Sequence, residues 1–394
     1  MKILFFVALI FTLTACSQNQ PEPIPEPKME QIDTQHKAVY DEEHKSESKS
    51  EPKPEHKPES GHEPEPILEH EPVVTLLIEK NHVEIASHLN DVIFNARFLE
   101  IQTYEGSGQT VHPHVLFFDE KFMGFHYIMA ITPYPYSNNA HENPSIFGSH
   151  DGVIWEVPDG VINPVVGIPI DIAYGGYYSD PFILRKDNIL ELWFRHTLGR
   201  SPEGQSIRRN SHNRIYRTVS TDLKNWSPLD IMLDCPDNLD AFMSPTVIHN
   251  GSKYRIWYAN FNSQLFYIES DDFVSWSERV RVYADLGGLG IWHHEIRHTG
   301  EQYEALFTSA DWGNNPQFRL FFAISDCGLD FGIGSEISVR CLSPALVEYT
   351  VHKCSFVKIN GVYQMYFTVT CPRRTWRLFY FEIAEENLYR LFGS

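Results

Sequence analysis

Residues 73–394 consist of short apolar runs bounded by turn residues, and no long segment among them holds a 3.6-residue period. Five runs share one design: 127–131 (YIMAI), 190–194 (LELWF), 254–258 (YRIWY), 303–307 (YEALF) and 363–367 (YQMYF). Each comes after another apolar strand across a turn that usually contains Gly or Asn. Those preceding strands begin His112-Pro113-His114-Val115, Asp180-Pro181-Phe182-Ile183, Ser244-Pro245-Thr246-Val247, His293-His294-Glu295-Ile296 and Cys354-Ser355-Phe356-Val357. A third strand comes next, then an acidic turn with an aromatic anchor: Asp151 to Trp155, Asp222 to Trp226, Asp272 to Trp276 and Asp326 to Phe331.

Successive anchors are 71, 50 and 55 residues apart, and five such units fill the 322 residues of the zone. A four-stranded unit cannot bury both faces alone, so units of this kind stack radially and close into a ring. The pattern therefore predicts an all-β, five-bladed β-propeller over residues 73–394. Each anchor aromatic is expected to pack between blades, and Asp151, Asp222 and Asp272 to brace their turns through Asx-type hydrogen bonds.

The layout of the repeat and the Asp-Pro-like strand starts resemble the five-bladed propeller glycosidases, the arabinanase, xylosidase and fructosidase group, over residues 100–390. The resemblance implies a carbohydrate-active domain whose first blade opens on an Asp base, the second on an Asp that orients the substrate and tunes pKa, and the third on a Glu acid. Asp180 stands at the second position, but His112 and Ser244 stand at the first and third. A glycoside hydrolase here would need a non-standard set, with Asp180, Glu295, His293 and His112 as the catalytic candidates. By register, His112, Asp180, Ser244, His293 and Cys354 converge at one end of the channel. Loops add Tyr134, Arg195, His196, Asn260, Asp311 and Trp312 as substrate contacts. The alternative is a glycan-binding propeller without catalysis, which needs only aromatic and amide groups.

No cofactor is required by either reading. A divalent ion at the channel is a lesser alternative, because His112 with His114, and His293 with Glu295, place ligand types on one strand face. Five cysteines (Cys235, Cys327, Cys341, Cys354 and Cys371) fall in this zone, where export would permit disulfides; buried structural roles are expected for Cys354 and Cys371.

Composition separates two further zones. Residues 1–16 carry Lys2, an apolar stretch and Leu13-Thr14-Ala15-Cys16, a segment that resembles a bacterial lipobox and implies lipidation at Cys16 with export to a membrane, the outer one on the strength of Ser17. Residues 17–72 are Pro-, Glu-, Lys- and His-rich, with 15 acids and 6 lysines, and predict a disordered tether. The formal charge of −20 divides into +1, −9 and −12 over the three zones. That balance excludes nucleic acid as a partner. Arginines 195, 200, 208, 209, 214, 373 and 374, set in an acidic domain, leave room for an anionic glycan.

Overall fold

A computed structural model describes residues 93–200, 204–205, 212–236, 240–310, 318–342 and 350–390. The chain divides into two units, Met1–Val83 and Glu84–Ser394, and every described residue belongs to the second. Cys16 and the tether lie outside the described residues, as do Asp311 and Trp312.

The described residues form a five-bladed β-propeller. Strand β1 (Ile93–Leu99) comes first. Blade 1 is β2 (Thr110–Phe122), β3 (Phe125–Pro133), β4 (Ser145–Ser149) and β5 (Trp155–Glu156). Blade 2 is β6 (Tyr177–Lys186), β7 (Ile189–Thr197), β8 (Asn213–Ser220) and β9 (Asp230–Cys235). Blade 3 is β10 (Met243–His249), β11 (Tyr254–Ala259), β12 (Leu265–Ser270) and β13 (Val280–Arg281), after which comes the short β14 (Tyr283–Asp285). Blade 4 holds β15 (Gly290–His298), β16 (Tyr303–Ala310), β17 (Leu320–Ser325) and β19 (Ser335–Leu342), while the intervening β18 (Asp330–Ile333) pairs with β14. Blade 5 is β20 (Thr350–Ile359), β21 (Val362–Cys371) and β22 (Thr375–Ala384), and its fourth strand is β1. The ring is thus closed by an N-terminal strand that runs antiparallel to β22 and parallel to β19.

Five apolar cores fill the five junctions, each drawing on two neighbouring blades. Ile128 and Leu192 share the core of blades 1 and 2, Trp193 and Ile256 that of blades 2 and 3, and Trp257 and Phe307 that of blades 3 and 4. Phe322 and Phe356 meet between blades 4 and 5, and Met129 and Tyr366 between 5 and 1. Trp155 packs edge-on against Tyr366 of blade 5, which is the inter-blade role expected of the anchors.

The repeated strand carries a second device. Its tyrosine reaches the next residue of the repeat in the preceding blade: Tyr254 donates to Glu191 (2.9 Å), Arg255 donates to Tyr303 (2.6 Å), and Tyr363 donates to Glu304 (2.8 Å). At the junction of blades 1 and 2 the apolar Ile128 and Leu190 share the core instead. The acidic turns behave as the sequence indicates: Asp151, Asp222 and Asp272 each accept two backbone N–H groups at 2.8–2.9 Å.

Every innermost strand is irregular near its channel end, between Val111 and His114, Ser179 and Phe182, Met243 and Thr246, Ile291 and His293, and Val351 and Cys354. Bulges of this kind re-aim side chains. In three of them a non-glycine residue with positive φ stands directly before proline: His112 (57°), Asp180 (50°) and Ser244 (50°). Such strain persists only where the surroundings over-determine it, and it clusters at functional sites.

Candidate functional site

The strained starts of blades 1 to 3 and the corresponding ends of β15 and β20 bring His112, Asp180, Ser244, His293 and His352 together. Asp180 is fully buried at the centre. Its Oδ1 lies 3.6 Å from His112 Nε2 and 3.5 Å from His293 Nδ1, and accepts from Ser244 Oγ at 3.3 Å. Its Oδ2 meets Arg195 Nε at 3.2 Å and Ser179 Oγ at 3.1 Å. Burial pushes the Asp180 carboxyl up, but His112, Arg195 and His293 together pull it well below the usual carboxylate range. Arg195 is the permanent charge among them, and it is further fixed by Ser179 Oγ (2.9 Å) and the Ala241 carbonyl (3.4 Å).

The three imidazoles have one ring nitrogen each within 4.8 Å of the others. His293 turns Nδ1 to Ser244 Oγ at 2.6 Å, which directs its Nε2 toward His352 Nε2, 3.3 Å away. Two nitrogens bound to one tetrahedral ion at about 2.0–2.1 Å would stand about 3.3–3.4 Å apart. Burial is the main force lowering the pKa of all three, His352 to about 4 and His112 and His293 well below the usual value, so at neutral pH their lone pairs are available to a ligand. The geometry, the neutral donors and the oriented second nitrogen of His293 fit a zinc-type divalent ion.

Above the imidazoles opens a cavity of about 190 Å³. Glu142, Arg195 and the three histidines form its polar wall, Tyr134, Tyr177 and Asn139 its rim, and Met243, Phe261 and Trp292 its apolar side. Glu142 is buried, stands 3.4 Å from His112 Nδ1, and is raised well above the usual carboxyl range by burial and then by Asp180. It is the one carboxylate lining this cavity among the described residues.

The expected residues divide accordingly. Tyr134, Arg195, His112 and His293 face the cavity, and Asp180 supports it from beneath. Glu295 does not reach it. That carboxylate lies further along the channel, bound by Arg297 at 2.6 Å and 3.8 Å from His114, and Arg297 in turn donates to the Val115 carbonyl at 2.5 Å. Glu295 is thus paired within the channel and does not line this cavity. His196 is committed to Asp171 (3.0 Å), and the Asn260 carboxamide closes its own turn by accepting from the backbone of Asn262 and Gln264. Cys354 sits in the core of blades 4 and 5, where burial pushes its thiol up and removes it as a nucleophile. The fifth convergent position belongs to His352. In both strands the bulge sets two residues against one, between Val111 and His114 and between Val351 and Cys354, so Cys354 matches His114 and His352 matches His112. Glu142 was not legible because it arrives from the loop between β3 and β4, outside the repeat.

Fold and channel end together define a five-bladed β-propeller that gathers three imidazoles and a buried carboxylate at one end of its channel. No family model matches the chain. Among curated proteins it is similar to the A type blood N-acetyl-α-D-galactosamine deacetylase of Flavonifractor plautii, 25% identical over 247 residues. That match takes in 53% of this chain, and the chain spans about a third (32%) of the relative's length. Among solved structures it is similar to an N-acetylgalactosamine deacetylase from F. plautii in complex with blood group B trisaccharide (TM-score 0.63, 17% identity, 76% of this chain and 97% of that one). An α-L-arabinofuranosidase from Podospora anserina in complex with cellotriose shares the fold at TM-score 0.50, with 12% identity over 74% and 96% of the two chains.

Proposed function

We propose that this protein is a metal-dependent hydrolase that removes the acetyl group from an N-acetylated sugar at the channel mouth. The observation that carries the reading is the meeting of His112, His293 and His352 beneath a sugar-sized cavity. A divalent ion held there supplies Lewis-acid polarisation of an amide carbonyl. Ser244 and Asp180 hold the His293 ring through its Nδ1, and Arg195 keeps Asp180 ionised. In the net reaction water adds to the amide carbon, the C–N bond breaks, and a proton passes to the departing nitrogen, leaving acetate and an amino sugar. Glu142, facing the cavity beside His112, is placed to carry that proton. Met243, Phe261 and Trp292 shield the reacting amide, while Tyr134, Tyr177 and Asn139 meet the sugar.

The name of the Flavonifractor relative supports this chemistry over glycoside hydrolysis. So does the wall of the cavity, because glycoside hydrolysis needs two carboxylates flanking one bond and among the described residues a single one faces this space. The test is acetate release from an N-acetylgalactosamine-terminated oligosaccharide by protein stripped with a chelator and then supplied with zinc. Acetate is expected only after metal is restored, and not from His352→Ala. Cleavage of the glycosidic bond would overturn the assignment, and binding without acetate release would establish a glycan-binding propeller.

The lipobox-like segment ending at Cys16 supports export and membrane attachment of the whole chain. Incorporation of labelled fatty acid, abolished by Cys16→Ser, tests that part.

A further inference from the structure

The three imidazoles of the channel mouth are not held alike. His112 turns Nδ1 to Thr132 Oγ1 at 3.2 Å, and His293 turns Nδ1 to Ser244 Oγ at 2.6 Å. His352 has no such anchor: its Nδ1 is buried and, among the described residues, meets no hydrogen-bond partner. A metal-binding imidazole is ordinarily oriented through its other ring nitrogen. At His352 that task falls to packing, and the packing comes from Trp376. The indole and imidazole ring centres are 4.8 Å apart with their planes at 72°, an edge-to-face contact.

Trp376 is itself fixed from two sides. Its Nε1–H donates to Ser137 Oγ at 3.0 Å, and its backbone N–H donates to Gln109 Oε1 at 3.1 Å. The same Gln109 oxygen accepts the Tyr136 N–H at 3.2 Å, and the Gln109 carbonyl accepts the Tyr134 N–H at 2.9 Å. Gln109 is buried, so these bonds are shielded from water. They tie the turn Pro135–Ser137 of blade 1 to the end of blade 5 where Trp376 follows the turn Pro372–Arg374, and the two turns pack together. Each turn carries two consecutive non-glycine residues at positive φ: Tyr136 (52°) and Ser137 (65°) in one, Arg373 (65°) and Arg374 (56°) in the other. Strain of this kind persists only where the surroundings over-determine it, and it clusters at functional sites. The indole also meets the ring of Tyr134, 5.2 Å away between centres. It thus stands behind the cavity wall, with His352 and Tyr134 in front of it.

We infer that Trp376 is a positioning residue for the third metal ligand: an indole pinned between two strained turns takes the place of the missing hydrogen bond and holds the His352 ring within the imidazole cluster. The inference rests on the metal site of the deacetylase reading, and adds how the least anchored of its ligands is kept in place.

Zinc affinity of the full chain, measured by competition with a chromophoric chelator, tests the inference on Trp376→Leu and Trp376→Phe. Both variants lose the bond to Ser137, but only the second keeps a planar ring against His352, so the comparison isolates the ring. An aromatic contact of this kind is worth up to about a factor of ten. Trp376→Leu should therefore bind zinc about tenfold more weakly than the parent, and Trp376→Phe should stay within about threefold of it. The visible spectrum of the cobalt(II)-loaded chain should shift in Trp376→Leu and not in Trp376→Phe, a change in ligand geometry that lost stability alone does not produce. A folded Trp376→Leu with the parent's zinc affinity and cobalt spectrum, or a Trp376→Phe as weak as Trp376→Leu, overturns the positioning role and leaves the metal site intact. A parent chain that binds no zinc overturns the metal site and the inference with it. Thermal melting establishes that each variant is folded. Should Trp376→Leu fail to fold, Ser137→Ala, which releases the indole Nε1–H, takes its place: a zinc affinity about threefold weaker with a shifted cobalt spectrum supports the inference, and no change in either overturns it.

Discussion

Glu191 offers a direct test of what holds neighbouring blades in register. It is 1% exposed and accepts three hydrogen bonds: from Trp193 Nε1 (2.9 Å) and Arg217 Nη2 (2.7 Å) within blade 2, and from the Tyr254 hydroxyl (2.9 Å) of blade 3. Glu191→Ala leaves a buried indole N–H, a buried phenol and a guanidinium without their acceptor. Breaking a buried ion pair from one side costs about 3–5 kcal/mol. The lower end applies here, since the Arg217 side chain is 17% exposed and has Asp230 within 3.7 Å as a second carboxylate. An unfolding entropy of about 2.1 cal/mol/K per residue, over about 300 folded residues, makes each kcal/mol worth about 1.6 °C, so Tm should fall by about 5 °C. Burial pushes the Glu191 carboxyl up, but hydrogen bonds and charge from Arg217, with Trp193 and Tyr254, hold it below the usual value. A folded pKa below the unfolded value of about 4.3 contributes stability that is complete above about pH 5 and is lost as pH falls through the folded pKa. Differential scanning calorimetry of both proteins from pH 8 to pH 3.5 should therefore show a constant gap that narrows only at the acid end. A double-mutant cycle with Tyr254→Phe should give a coupling of about 1 kcal/mol. A Tm change under about 1 °C at pH 7, or a gap that widens on acidification, would refute the latch.

Three further outcomes are expected from the same structure. Ser244→Ala removes the group that fixes His293 Nδ1 and should weaken zinc binding about 10–100-fold while the fold is kept, as measured by competition with a chromophoric chelator. Arg195→Lys cannot reproduce contacts to Ser179, Asp180 and the Ala241 carbonyl at once, so acetate release should fall at least about a hundredfold; activity within about threefold of the parent would contradict a positioning role. A chain that begins at Glu100 lacks β1, exposing the facing edges of β22 and β19, and should aggregate or lose its sharp thermal transition, as size-exclusion chromatography and calorimetry would record.

How much of this was legible in the residues depends on what each signal is made of. The blades were readable because a repeated strand such as YRIWY must bury the same face five times, so periodicity survives divergence of individual side chains. The acidic turns were readable for a related reason: Ser-x-Asp at 149–151, 220–222 and 270–272 is a local hydrogen-bonding device whose partners lie within three residues. The closing strand was not, since Ile93–Leu99 carries no blade of its own and gains its place from pairing with residues almost 300 positions away. The site fails to emerge from the repeat for a sharper reason. A strand has a side-chain period of two, so a start set two residues late keeps the same face: Cys354 fits the apolar alternation as well as His352, and it is His352 that reaches the channel. His352 is betrayed only by what it meets, the imidazoles of His112 and His293 at ring-centre distances of 5.2 and 4.3 Å. The same logic explains why the departures from the glycosidase pattern are informative. Replacing a channel Asp by His112 and a channel Glu by Ser244 removes acid and base, yet the first adds an imidazole and the second a hydroxyl that orients His293. With His293 and His352, His112 completes the imidazole cluster, and one left-handed bulge geometry recurs at 112, 180 and 244.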